Sequence, residues 1–195
     1  MMAFLIVLSF LFSLVACLPG PLTNLAVPAA NTKSTERKPF HGLAQFNFTN
    51  WTLSEVCLDC NRASPVDLFD CAYTFQWLDP NFNTSSSCNS PWKWDGITME
   101  NGPNNSYPTQ YMMCEMHFPE AWQLRVNSIT DDGLFELGLI HTCKDQIHFD
   151  PAELANFFAA PNFTMRLLSR DDYSIVYAAD RPVSVLVQGL TSNPM

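Results

Sequence analysis

Glycine is scarce, 7 residues in 195, and a chain so poor in glycine has little with which to build phosphate-cradling loops or a dinucleotide fingerprint. Neither motif occurs. Basic residues are also few, with Lys and Arg numbering 10 against 19 Asp and Glu. Before Gly42 the balance runs the other way, Glu36 against Lys33, Arg37 and Lys38, so the rest of the chain is more acidic than the whole. An acidic surface repels phosphate backbones and anionic lipid headgroups, which excludes nucleic acid as the expected partner. Gly-x-Ser-x-Gly and His-Glu-x-x-His are missing too, so no enzyme, cofactor or metal is expected from motifs.

Long apolar runs are lacking after the first. Met1 to Ala16 is almost wholly apolar, too short for the roughly 20 residues of a membrane-spanning helix, and reads as the hydrophobic region of a signal peptide over residues 1–17. The expected product is secreted and extracellular, with no membrane association after cleavage. Leu14-Val15-Ala16-Cys17 also fits a bacterial lipoprotein box, although no Lys or Arg precedes Phe4. Residues 18–42, rich in Pro, Thr and Ala, read as a flexible arm whose Arg37-Lys38 pair is followed by Pro39. Residues 43–195 are then of single-domain length.

What is present is two-residue alternation. Cys71, Tyr73, Phe75 and Trp77 give the clearest case, ended by Asp79 and Pro80. Trp51 and Leu53 continue Phe46 and Phe48 on the other phase, which predicts a bulge near Asn50. Met112, Cys114, Met116 and Phe118, then Trp122, Leu124 and Val126, lead to a turn at Asp131-Asp132-Gly133 with Phe135, Leu137 and Leu139 as the return strand. Asn81 to Tyr107 predicts a long loop or short strands. Asp150-Pro151-Ala152-Glu153 carries helix-start chemistry, so a short helix is predicted from Pro151 to about Ala159, with Leu154, Phe157 and Phe158 as its apolar stripe. Segments 163–168, 173–178 and 183–188 read as closing strands. Six to eight strands and one helix predict an all-β fold, a disulfide-stapled antiparallel sandwich or barrel.

Seven cysteines become six once Cys17 leaves: Cys57, Cys60, Cys71, Cys88, Cys114 and Cys143. An even set in a secreted domain predicts three disulfides, with Cys71–Cys88 one guess among fifteen pairings. Cys57-Leu58-Asp59-Cys60 has zinc or redox spacing, but no second close pair and no strand-to-helix context support either chemistry. Asn-x-Ser/Thr occurs at Asn47, Asn50, Asn83, Asn104 and Asn162, predicting a glycoprotein with these residues facing solvent. Trp92 and Trp94, in a polar segment, suggest either a sugar-stacking pair or anchors into the core. Glu115, His117 and His141 suggest a small acid–base cluster.

Phe48-Thr49-Asn50-Trp51, Cys57, Cys71-Ala72-Tyr73-Thr74-Phe75, Cys88, Cys114 and the closing strands together resemble secreted ascomycete proteins of the Alternaria major-allergen type. The resemblance covers about Gln45 to Gly189. It implies a fungal, extracellular β-barrel or sandwich without known catalytic residues, associated with virulence, host-protein binding or elicitation of plant defence. The Cys57/Cys60 pair, the helix at Pro151 and the segment after Asp79 depart from that pattern. The functional expectation is a non-enzymatic interaction protein, a candidate effector or elicitor, whose partner is a host or cell-wall protein or glycan. The competing expectations are a carbohydrate-binding module using Trp92 and Trp94, and a hydrolase using Glu115, His117 and His141.

Overall fold

A computed structural model describes residues 47–193; the expected signal peptide, the arm and Phe46 lie outside them. The described residues form twelve strands and no helix. In chain order these are β1 (Trp51–Asn61), β2 (Phe69–Asp79), β3 (Thr84–Trp94), β4 (Met112–His117), β5 (Glu120–Ile129), β6 (Leu134–Asp145), β7 (Glu153–Ala159), β8 (Asn162–Thr164), β9 (Arg166–Arg170), β10 (Ser174–Ala178), β11 (Val183–Val185) and β12 (Gly189–Asn193). They pair antiparallel in two six-stranded sheets. One has the order β3-β2-β1-β10-β9, with β11 on the start of β1; the other has the order β12-β7-β6-β5-β4, with β8 on the start of β6. Neither sheet closes on itself. The arrangement is sandwich-like, and the barrel alternative is excluded.

Alternation explains which residues meet between the sheets. From β2, Phe69, Cys71, Tyr73, Phe75, Trp77 and Asp79 all point inward and are buried. Trp122, Leu124 and Val126 on β5, and Phe135, Leu137 and Leu139 on β6, face them. Tyr73 stacks on Phe135 with centroids 5.7 Å apart, and Trp77 meets Trp51 at 4.9 Å and Trp122 at 4.8 Å. Edge and offset contacts of this kind add about 0.5–1.5 kcal/mol each beyond area burial. The β5–β6 hairpin turns at Gly133, whose φ of +78° and close approach to Met165 O leave no room for a Cβ.

Four expectations are corrected. The helix from Pro151 is strand β7, because Ala155, Phe157 and Ala159 face inward at two-residue spacing and β6 and β12 supply ladders on both sides. Asn81 to Tyr107 holds one long strand rather than a loop alone or short strands: β3 takes 11 of these residues and pairs along its whole length with β2. Strands number twelve, since the tail breaks into short pieces. The bulge in β1 falls between Ser54 and Cys57 rather than near Asn50.

The cysteines are also rearranged. Cys60 lies opposite Cys71 in the β1–β2 register and is bonded to it. Cys88 of β3 is bonded to Cys114 of β4, joining an edge of one sheet to an edge of the other. Cys71–Cys88 is ruled out by register: Cys71 faces Trp92 and Cys88 faces Phe75, roughly 13 Å apart along the strands and beyond the ~7 Å reach of a disulfide. Cys57 is disulfide-bonded as well. Cys143, expected in a bridge, is a buried free thiol.

Candidate interaction surface

One end of the sandwich gathers the loops that follow β2, β4 and β6, together with the chain entering β1. Its interior is polar. β6 turns His141, Cys143 and Asp145 inward at successive alternate positions. His141 Nδ1 lies 2.8 Å from Asp79 Oδ2 at the end of β2, and both side chains are fully buried. The other Asp79 oxygen accepts hydrogen bonds from the backbone N–H and side-chain amide of Asn81, at 2.9 and 2.8 Å. Asn81 in turn bonds Thr49 in both directions, tying the β2–β3 turn to the chain before β1.

A second pair repeats the device in the β6–β7 loop. Asp145 Oδ1 accepts from the N–H groups of Ile147 and His148, each at 2.9 Å, while Oδ2 lies 2.8 Å from His148 Nδ1. Phe82 fits its ring against both histidines and Phe157. Two carboxylates therefore fix two loops from inside, where such bonds are stronger than in water.

The acid–base cluster expected from Glu115, His117 and His141 is not assembled. Glu115 sits on β4 with His117 against one carboxylate oxygen and the Ser86 hydroxyl donating to the other at 2.9 Å. These contacts, His117 first, hold its carboxyl below the ordinary range. His141 is elsewhere, in the core, stacked on Trp122 at 3.7 Å with Trp51, Trp77 and Phe82 around it. Its Nε2 is buried and has no hydrogen-bond partner. Burial, with Asp79, Asp145 and Glu120 adding to it, pushes the Cys143 thiol far up, so this sulfur is a poor nucleophile. Among the described residues, no group of three or more His, Cys, Asp or Glu could hold a metal ion.

The outside of this end carries exposed apolar side chains at the β4–β5 turn. β4 and β5 are joined by Phe118 and Pro119 alone, and Phe118 is 93% exposed. Sequence alternation had placed it inside with Met112 and Cys114. An extra residue between Met113 and Glu115 shifts the phase, turning Met116 outward opposite Ala121 and leaving Phe118 outside. Met116 is 64% exposed, and Ile147, on the Asp145-held loop beside the start of β5, is 65% exposed. Sequence reading missed this patch; the one signal was Phe-Pro in a two-residue turn.

Of the two readings of Trp92 and Trp94, sugar stacking or anchoring into the core, their burial matches the second. Trp92 is 6% and Trp94 2% exposed, and Trp94 Nε1 donates to Thr98 O at 2.7 Å, anchoring the segment after β3. Asn47, Asn50, Asn83, Asn104 and Asn162 are all exposed, as glycan acceptors need to be. Asn47, Asn50 and Asn83 lie at the loop end just described.

The fold and this surface define an all-β protein of two stapled sheets presenting rigid loops. No protein-family model matches the chain and no curated protein matches it.

Proposed function

We propose that the protein is a secreted, non-enzymatic binding protein, a candidate fungal effector or elicitor, that engages a host or cell-wall protein through its β4–β5 tip. The observation that carries this reading is the near-complete exposure of Phe118 on a turn whose strand is anchored by the Cys88–Cys114 bridge. A protruding aromatic on a preorganised support is the usual anchor of an interface, since little entropy is lost when it docks. Met116 and Ile147 widen the apolar contact, and the acidic balance of the chain favours a basic rim on the partner. Disulfides and exposed acceptor asparagines are compatible with the secretory route.

A photo-reactive phenylalanine analogue at position 118, in the secreted full chain incubated with host extracellular and wall fractions, tests the proposal. A single cross-linked protein is expected, competed by the unmodified chain but not by an unlabelled Phe118→Ser chain. Undiminished capture of the same protein by a Phe118→Ser/Ile147→Ser variant, with its label at Met113, would overturn it.

A further inference from the structure

On the outer face of the first sheet lies a groove of about 230 Å³ whose outward-facing side chains are Glu55, Thr74, Gln76, Ser87 and Asn89. Its floor is the β2–β3 ladder, where Thr74 pairs with Asn89 and Gln76 with Ser87. Its wall is the β1 bulge. There Glu55 adopts φ of +56°, a left-handed conformation that few side-chain-bearing residues take. A bulge re-aims a side chain, and a non-glycine held in this region points to a role for what it aims. Glu55 is exposed and lines the groove together with these hydroxyls and amides.

We infer that this groove is a binding site for a neutral, hydroxyl-rich ligand, a pyranose unit of a glycan chain. The chemistry selects that class. Glu55 accepts only, and can take two adjacent hydroxyl protons at once. Ser87 Oγ donates to Gln76 Oε1 at 2.9 Å, which fixes the amide so that its NH₂ is left to donate outward. Asn89 and Thr74 each offer both a donor and an acceptor, while Ser87 Oγ, its proton committed to Gln76, offers an acceptor. A sugar ring presents the same mixture in reverse. A phosphate or sulfate would meet the Glu55 charge with no Lys or Arg lining the groove, and a lone ammonium ion would engage the carboxylate while leaving the neutral groups without a counterpart. The volume lies below the ~300–1,000 Å³ of typical ligand sites, which suits one ring of a longer chain. This site does not include Phe118, Trp92 or Trp94.

The test is a titration of the full secreted chain with gluco-, xylo-, manno- and chito-trisaccharides, followed by the side-chain NH₂ resonances of Asn89 and Gln76. Saturable shifts with at least one of them are expected. Glu55→Gly, which removes the carboxylate and suits the left-handed backbone, combined with Asn89→Ala, should weaken binding by about tenfold or more. Phe118→Ser should leave it unchanged. Silence of both amides with every trisaccharide, equal binding by the double variant, or tighter binding of a phosphorylated sugar would each overturn the assignment.

Discussion

Asp79 and His141, 62 residues apart, meet at 2.8 Å with neither side chain reaching solvent, and they join the two sheets through the one buried acid of β2 and a ring stacked on Trp122. Removing one partner leaves the other buried without compensation, so Asp79→Ala should lose about 3–5 kcal/mol. It also frees the Asn81 amides that hold the β2–β3 turn. In a double-mutant cycle with His141→Phe, coupling of about 1–3 kcal/mol is expected from urea midpoints. Additive losses would mean that the contact contributes nothing of its own.

That pair was illegible in the chain. Asp79 beside Pro80 reads as a strand terminator, and nothing in a linear pattern brings it to His141. By contrast Tyr73, Phe75 and Trp77 announce β2, because one face of that strand is buried and every second residue is apolar. β3 escaped notice because its inner positions include Ser86 and Ser90, which bond Glu115 and the Met112 sulfur across the sandwich. Leu154, Phe157 and Phe158 satisfy a helix stripe, whereas the strand's buried face is Ala155, Phe157 and Ala159, and pairing with β6 and β12 decides. Phe118 was put inside by an alternation that the extra residue in β4 reverses. Of the candidate functional surface, then, the residues were visible but not their side of the sheet.

The two bridges with both ends described should differ in effect. Cys88–Cys114 closes a span of 26 residues and Cys60–Cys71 one of 11, which the loop-closure relation converts to about 3.5 and about 2.8 kcal/mol. Cys60 and Cys71 are already held opposite each other by the ladder, whereas Cys88–Cys114 ties separate sheets. Replacing Cys88 and Cys114 by alanine should therefore lower the unfolding midpoint more than replacing Cys60 and Cys71. Hydrogen exchange should show the loss first in β4, including the support of Phe118. An equal or reversed order of midpoints would contradict the assignment.

All five tryptophans, Trp51, Trp77, Trp92, Trp94 and Trp122, are buried. Native emission should be blue-shifted and nearly insensitive to acrylamide. Trp94→Ala should cost about 3–5 kcal/mol, with additional loosening of the loop that its indole N–H holds at Thr98. Red-shifted, readily quenched emission from a native Trp92-only variant would place that ring outside the core.

Cys143 gives the protein an alkaline limit whose sign is fixed. Unfolded, the thiol ionises near its ordinary value of 9.0; folded, burial first and then the nearby carboxylates keep it protonated far above that. Above about pH 9 the unfolded chain has released a proton that the folded chain retains, so stability is complete below that pH and falls as pH rises, by up to about 1.4 kcal/mol per unit. Tyr73, raised above its ordinary 10.0 by burial, adds a loss of the same sign beyond pH 10. Urea midpoints measured from pH 7 to 11 should decline more gently in Cys143→Ala, and more gently again once Tyr73→Phe is added. The native thiol should also resist a disulfide reagent at pH 8 until urea unfolds the chain. Rapid labelling of Cys143 in the native protein, or identical pH slopes with and without it, would show that this sulfur is not sealed between the sheets.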